Sequence, residues 1–333
     1  MQGENDVHTL VVGRDAMACR FEIVFNAGEV PDATAIAVDC LDLVDEIENR
    51  ITVYRDTSEL ARLNATAAEG WQTVEADLFA LLLEARDLHT RTGGGFDMAA
   101  GSLVRTWGFL RRQGRTPTAD ELARARASAG MQWVELDEAG CRVRFTRQGV
   151  ELNPGAIGKG WAIDRVMARL RDSGVRSALV HGGASSVRAI GSQGAVFPGR
   201  RGWPVGVRHP LRPGRRLATV QLDDKALGTS GSGTQFFIER GRRLGHILDP
   251  RTGVPAEGVL SATVLAPTAA EADSLSTALY VLGAAGLTQV APPGGAVGAI
   301  LVVPGEAAGA VRLLTTNLGE EVLSIEPGEG VET

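Results

Sequence analysis

No uninterrupted apolar run reaches the roughly 18 residues that a membrane span requires, so a membrane-spanning chain is not expected. Met1–His8 is polar and lacks the apolar stretch of a secretory signal. Cysteine is scarce: Cys19, Cys40 and Cys141 lie far apart and form no CxxC pair. That pattern supports neither a disulfide framework nor a zinc site. An excess of positive charge is also missing. The formal charge of −6 argues against a nucleic-acid binder, which usually concentrates basic residues on one surface. A local arginine excess over Arg200–Arg216 reads as a solvated loop. There is no HExxH, no EF-hand loop and no GxGxxG after a strand. Gly228-Thr-Ser-Gly-Ser232 approaches Gly-x-Ser-x-Gly but fails at its last position, outside any strand-to-helix elbow. No internal repeat, low-complexity tract or long linker interrupts the chain.

What is present is an ordinary globular composition, 44% hydrophobic and 22% charged over 333 residues, enough for one large domain or two small ones. Glycine stands out. The 42 glycines exceed the average share of roughly 7%, and they cluster at Gly93–Gly95, Gly155–Gly160, Gly182–Gly183 and Gly228–Gly233. Such clusters mark backbone that turns sharply or approaches something closely.

Periodicity predicts strands at Thr9–Val12 and Ala18–Phe25, then an amphipathic helix over Ala33–Arg50. Helices follow at Ala76–Thr92 and Pro117–Ala129, with strands near Trp133–Leu136 and Val143–Phe145. Gly160–Asp172 reads as a helix stopped by Gly174. Strands are expected at Ala178–Val180, Val187–Ile190, Val205–Arg208, Ala218–Gln221, Gln235–Ile238 and Ser261–Leu265. A last helix starts at Thr268, with Glu271 at capping-box spacing, and ends at Gly283. The mixed order predicts one α+β (mixed α/β) domain built around antiparallel-leaning sheet. Its span is 9–325, between tails 1–8 and 326–333.

Several short stretches carry chemistry. Asp273 and Thr277 are four apart on a predicted helix, so both oxygens project from one face; a carboxylate and a hydroxyl are hard ligands suited to Mg²⁺. Asn153-Pro-Gly-Ala-Ile-Gly-Lys159-Gly160 is a glycine-rich turn entering a helix, able to hold phosphate through backbone N–H groups and a lysine. It is not a Walker A loop, because Asn153 and Gly160 stand where glycine and Ser/Thr are required. Gly93-Gly-Gly-Phe-Asp97 with Trp107-Gly-Phe109 could hold an aromatic ring, or could be a loop over core aromatics. His246, ahead of Asp249-Pro-Arg-Thr-Gly253, could act as a general base or be structural. His181, at a strand end beside Gly182-Gly183, is a weaker candidate. Gly228-Thr-Ser-Gly231 reads as a small-residue turn able to donate to phosphate.

Taken in order, these stretches resemble the FAD:protein FMN transferase (ApbE) family from about Met17 to about Gly283. The resemblance rests on Met17, Tyr54-Arg-Asp-Thr-Ser58-Glu-Leu with Asn64, Gly95-Phe96-Asp97, Gly155-Ala-Ile-Gly-Lys-Gly160, Thr229-Ser-Gly231, His246-Ile-Leu-Asp-Pro-Arg-Thr-Gly253 and Ala272-Asp-Ser-Leu-Ser-Thr277. It implies mostly antiparallel sheets flanked by helices, with FAD in a central cleft. It also implies Mg²⁺ held by Asp273, Thr277 and the Ala156 carbonyl, with Ser276 as a further ligand. FAD would touch Met17, Tyr54, Gly95, Phe96, Asp97, Asn153, Lys159 and Leu248. The implied reaction moves FMN from FAD onto a Ser/Thr hydroxyl of a target protein and releases AMP. His246, Asp273 and Lys159 would be the catalytic residues. Water in place of the protein hydroxyl would make the chain an FAD pyrophosphatase, and loss of chemistry would leave a flavin binder. Two departures bear on this. Asn153 replaces a frequent aspartate, and Gly182-Gly183-Ala184-Ser185-Ser186 replaces a frequent Gly-Gly-Asp.

Overall fold

The structure is a computed structural model that describes residues 8–111, 113–194, 201–212, 214–231, 233, 235–326 and 330–332. Most of the expected N-terminal tail, part of the C-terminal one, Arg200 and Ser232 lie outside the described residues. Strands β1 (Thr9–Ala16) and β2 (Cys19–Asn26) open the fold. Met17 and Ala18 join them at φ of 49° and 59°, the left-handed pair that a tight hairpin requires. Next come α1 (Ala33–Ile51), α2 (Glu59–Thr66), β3 (Gln72–Thr73), α3 (Ala76–Arg91), α4 (Gly101–Thr106) and α5 (Ala119–Ser128). Strands β4 (Val134–Asp137) and β5 (Arg142–Phe145) pair with β3 in a small antiparallel sheet. Helix α6 (Gly158–Asp172) precedes β6 (Ala178–Gly182), β7 (Ser186–Ile190), β8 (Trp203–Arg208), β9 (Arg216–Leu222) and β10 (Ala226–Gly231). The hairpin β11 (Phe236–Glu239) and β12 (Arg242–Gly245) is followed by β13 (Ser261–Ala266), α7 (Ala269–Leu282) and α8 (Leu287–Val290). The chain closes with β14 (Gly298–Pro304), β15 (Val311–Thr316), β16 (Leu323–Ile325) and β17 (Val331–Glu332).

Nine strands form the main sheet in the order β1-β2-β6-β7-β10-β13-β14-β15-β17. All its pairings are antiparallel except β15 with β17. One face is covered by α1, α6 and α7, the other by the three-stranded sheet β16-β9-β8. Strands in the middle are therefore buried on both sides, which is why all six residues of β13 are buried and no alternation shows in its sequence. Ala262, Val264, Ala266, Ala299 and Leu301 face the helices, and Leu265, Ile300 and Val302 face the second sheet. Glycines let α7 lie close to β10 and α6. At Gly228 an added Cβ would sit 2.5 Å from the Ala272 carbonyl, and Gly160 meets the Ala269 backbone in the same way where α6 crosses α7.

Two readings change. Thr229-Ser230 lies inside β10, paired with β13, and not in a turn. β8 and the start of β9 occupy much of the Arg200–Arg216 stretch, so it is not one solvated loop. The capping box at Thr268 is half formed: its hydroxyl accepts the Glu271 N–H at 3.2 Å, but the Glu271 carboxylate pairs with Arg91.

Replacing Gly228 with alanine is expected to lower the unfolding free energy by about 1–3 kcal/mol with an unchanged urea m value, because α7 cannot retreat without unpacking its apolar face. Equal stability in a urea titration would show that α7 can shift.

Candidate active site

The N-terminus of α6, the strands β7 and β10, and the first turns of α7 converge on one carboxylate. Asp273 is buried, and its Oδ2 accepts the Gly160 N–H at 2.9 Å and the Ser186 hydroxyl at 2.9 Å. Its Oδ1 receives no hydrogen bond among the described residues. Gly160 is the third residue of α6, where backbone N–H groups have no partner within the helix. That donor goes to Asp273, and the Ala156 carbonyl, just ahead of the helix, accepts no hydrogen bond among the described residues. One oxygen of a buried aspartate and a backbone carbonyl are thus both left uncommitted near the start of α6.

Hydroxyls surround this pair. Ser230, on the same face of β10 as Gly228, bonds to Ser276 at 2.8 Å and to Thr277 at 3.0 Å. Ser276 and Thr277 both donate back to the Asp273 carbonyl. Lys159 donates from Nζ to the Ser185 hydroxyl at 2.6 Å. Burial pushes the Asp273 carboxyl up to about 6, opposed chiefly by the Lys159 charge and by the bonds from Ser186 and Gly160. Among the described residues no three His, Cys, Asp or Glu side chains gather into a metal cluster. The donors are instead one carboxylate, a carbonyl and hydroxyls, all hard oxygens. Such a set suits Mg²⁺, which takes few protein ligands and completes its shell with phosphate and water.

His246 stands at the end of the β11–β12 hairpin, edge-on to Phe109 with 6.4 Å between ring centres. Its Nδ1 lies 3.0 Å from the Gln235 carbonyl. A carbonyl only accepts, so Nδ1 carries the proton and Nε2 is left as the basic nitrogen. Burial first, and then the nearby Lys159 charge, hold its pKa below the ordinary value. The imidazole is therefore neutral at pH 7. His181 is elsewhere. It pairs across the strands with Glu22 at 2.9 Å, on the sheet face opposite α7.

The residues expected at FAD are spread along the rim of this region. Met17 sits in the β1–β2 turn and donates its N–H to Glu48 at 2.7 Å. Tyr54 is 69% exposed. Gly95 and Phe96 are buried and the Phe96 ring belongs to the main core, so a ligand could meet only its backbone. The Asp97 carboxylate is already engaged: it accepts the Ala99 N–H at 2.8 Å and the Met131 N–H at 3.2 Å, and faces His89 at 3.1 Å. Asn153 turns its Oδ1 onto the Gly155 N–H at 2.9 Å, shaping the loop that enters α6. Leu248 packs with Trp107 and Phe109 in a small aromatic cluster. Ser230 lies in the Gly228–Gly231 stretch expected to donate to phosphate, whereas nothing in the sequence marks Ser185 and Ser186 as site side chains. Only the strand faces bring them together.

A model of the ApbE family matches residues 17–301 of this chain. A FAD:protein FMN transferase of Treponema pallidum (strain Nichols) is 32% identical over 291 residues, covering 82% of this chain and 77% of its own. One from Haemophilus influenzae is 31% identical over 249 residues, covering 72% and 70% respectively. Among solved structures, the ApbE protein of Thermotoga maritima superposes with a TM-score of 0.83 at 27% identity, covering 93% of this chain and 97% of its own.

The raised carboxyl of Asp273 has a consequence for stability. Its folded pKa, about 6, exceeds the ordinary 3.8. The stability it contributes is therefore present below pH 3.8 and lost as pH rises through 6. In EDTA, Asp273→Asn is expected to unfold about 1–3 kcal/mol less readily than the parent at pH 8. The two should converge near pH 4, about where the unfolded carboxyl protonates. Parallel stability–pH curves would refute the assignment.

Proposed function

The chain belongs to the ApbE family, and from that premise we propose how its site performs the family's reaction. It is a transferase that moves FMN from FAD to a protein. We infer a Mg²⁺-dependent reaction onto a Ser/Thr hydroxyl, and the observation that carries the metal is the half-satisfied carboxylate of Asp273, bonded to the start of α6 at Gly160, four residues after the uncommitted Ala156 carbonyl. Asp273, Thr277, Ser276 and the Ala156 carbonyl would hold the ion. When bound, Mg²⁺ would neutralise the FAD diphosphate and polarise its oxygens.

The protein's own groups do the rest. The Lys159 ammonium offsets charge that grows on the phosphoryl oxygens as the bond to AMP breaks. His246 Nε2 takes the proton of the incoming hydroxyl, whose oxygen attacks the FMN phosphorus while AMP departs. Because the nucleophile arrives on the acceptor protein, no serine or cysteine of this chain is required. Met17, Tyr54, Asn153 and Leu248, with the backbone of Gly95-Phe96-Asp97, would line the path of FAD. Ser185 holds Lys159 with a neutral hydroxyl, so the ammonium keeps its full charge for phosphate.

Incubation with FAD, MgCl₂ and acceptor domains bearing Ser or Thr, read by intact mass, should give a gain equal to one FMN phosphoester and stoichiometric AMP. EDTA and Asp273→Ala should abolish both, and Lys159→Met should slow transfer by on the order of 10²–10³. AMP without a modified acceptor would instead indicate hydrolysis. The rate should rise with pH through a midpoint below 6.5, the ordinary histidine value, since the base must be unprotonated. At saturating MgCl₂, which would hold Asp273 ionised, His246→Gln should remove that limb. Its survival under those conditions would exclude His246 as the base.

A further inference from the structure

Asp164, outside the site just described, is half-buried and fully engaged. Its Oδ1 accepts the Ala269 N–H at 2.8 Å and its Oδ2 the Ala270 N–H at 2.9 Å. Arg188 closes on Oδ1 from β7, and both side chains are nearly shut off from solvent, at 12% for Arg188 and 14% for Asp164. With the Thr268 hydroxyl on the Glu271 N–H, the first three N–H groups of α7 are all held by side chains. Two of the three come from α6.

These contacts repeat, one helical turn away, the contacts that hold Asp273. Gly160 and Asp164 are four apart on α6, Ala269 and Asp273 four apart on α7, and Ser186 and Arg188 two apart on β7. Each pair therefore projects from one face of its element. The clamp has two rungs. In one, Gly160 and Ser186 grip the Asp273 carboxylate. In the other, Arg188 and Asp164 grip the start of α7. Where Gly160 crosses α7 the backbones touch with no room for a Cβ, so the second rung sets how α7 seats against α6. Lys159 lies on that same α6, so the seating also sets the distance from the ammonium to Asp273.

We propose that Asp164, braced by Arg188, is a positioning residue that fixes α7 so that Asp273 and Thr277 can bind a divalent cation. This rests on the metal reading given above. Asp164→Asn keeps the shape but removes one of the two amide bonds, because its NH₂ cannot accept, and abolishes the ion pair. Substituting a residue that orients a metal ligand weakens metal affinity by about 10–100-fold.

The test uses the full chain with FAD and Mn²⁺ as the probe, with free Mn²⁺ counted by its EPR signal. Leu313→Ala, in the core on the far side of the sheet, serves as a variant of comparable melting loss. The expected result is a Mn²⁺ dissociation constant raised about tenfold or more in Asp164→Asn and unchanged in Leu313→Ala. The Mg²⁺ concentration for half-maximal transfer should rise by the same factor, with kcat at saturating Mg²⁺ nearly preserved. Unchanged Mn²⁺ affinity in Asp164→Asn, or an equal loss in Leu313→Ala, would overturn the positioning role while leaving the metal reading intact. Absence of Mn²⁺ binding in the parent would sink both. If Asp164→Asn does not fold, Arg188→Gln, which removes the ion pair but spares both amide contacts, is read by the same criteria, with a weakening of Mn²⁺ binding expected.

Discussion

The carboxylate of Asp273 is held out of water where a helix N-terminus, a strand hydroxyl and an ammonium meet, and the surrounding architecture is arranged to tolerate it. Burying a charge costs several kcal/mol unless it is paired and hydrogen-bonded. Here the compensation is partial. The Gly160 N–H and the Ser186 hydroxyl serve one oxygen, Lys159 lies near, and the carboxyl pKa still rises to about 6. An anion left under-compensated in this way is a poor choice for stability alone. It becomes sensible in an enzyme whose substrate carries a diphosphate, if the proposed hard cation pairs with it.

Bringing that carboxylate to its partners depends on close backbone approach. Gly160 permits α6 to touch α7, and Gly228 permits α7 to lie against β10. The opposite face of the main sheet packs against β16-β9-β8.

Much of the frame was legible in the sequence. The helix at Ala33–Arg50 had an apolar stripe at helical spacing, and the structure places α1 at Ala33–Ile51. Gly93–Gly95 ended α3 as a glycine-rich stop should, and Thr268 did cap α7. Burial on both faces hides any alternation in β14, and Gly-Thr-Ser-Gly lacks the bulky alternation that would mark Ser230 as a strand residue. β15 lies outside the expected strands although it begins with buried and exposed positions in alternation. The small residues that disguised β10 are those that admit α7.

At the site, the i, i+4 spacing of Asp273 and Thr277 was decided by sequence alone, because helical geometry puts such a pair on one face whatever surrounds it. The ordered motifs were also enough to assign the family. What sequence could not decide was which atoms remain free. The Gly160 N–H, free at the start of α6, goes to Asp273, Ser185 and Ser186 turn to different partners, and Asp164 caps a helix 105 residues further on. Hydrogen-bond partners across such separations are selected by how α6, α7 and β7 pack. Packing is a property of three elements at once, and no local stretch of sequence contains it.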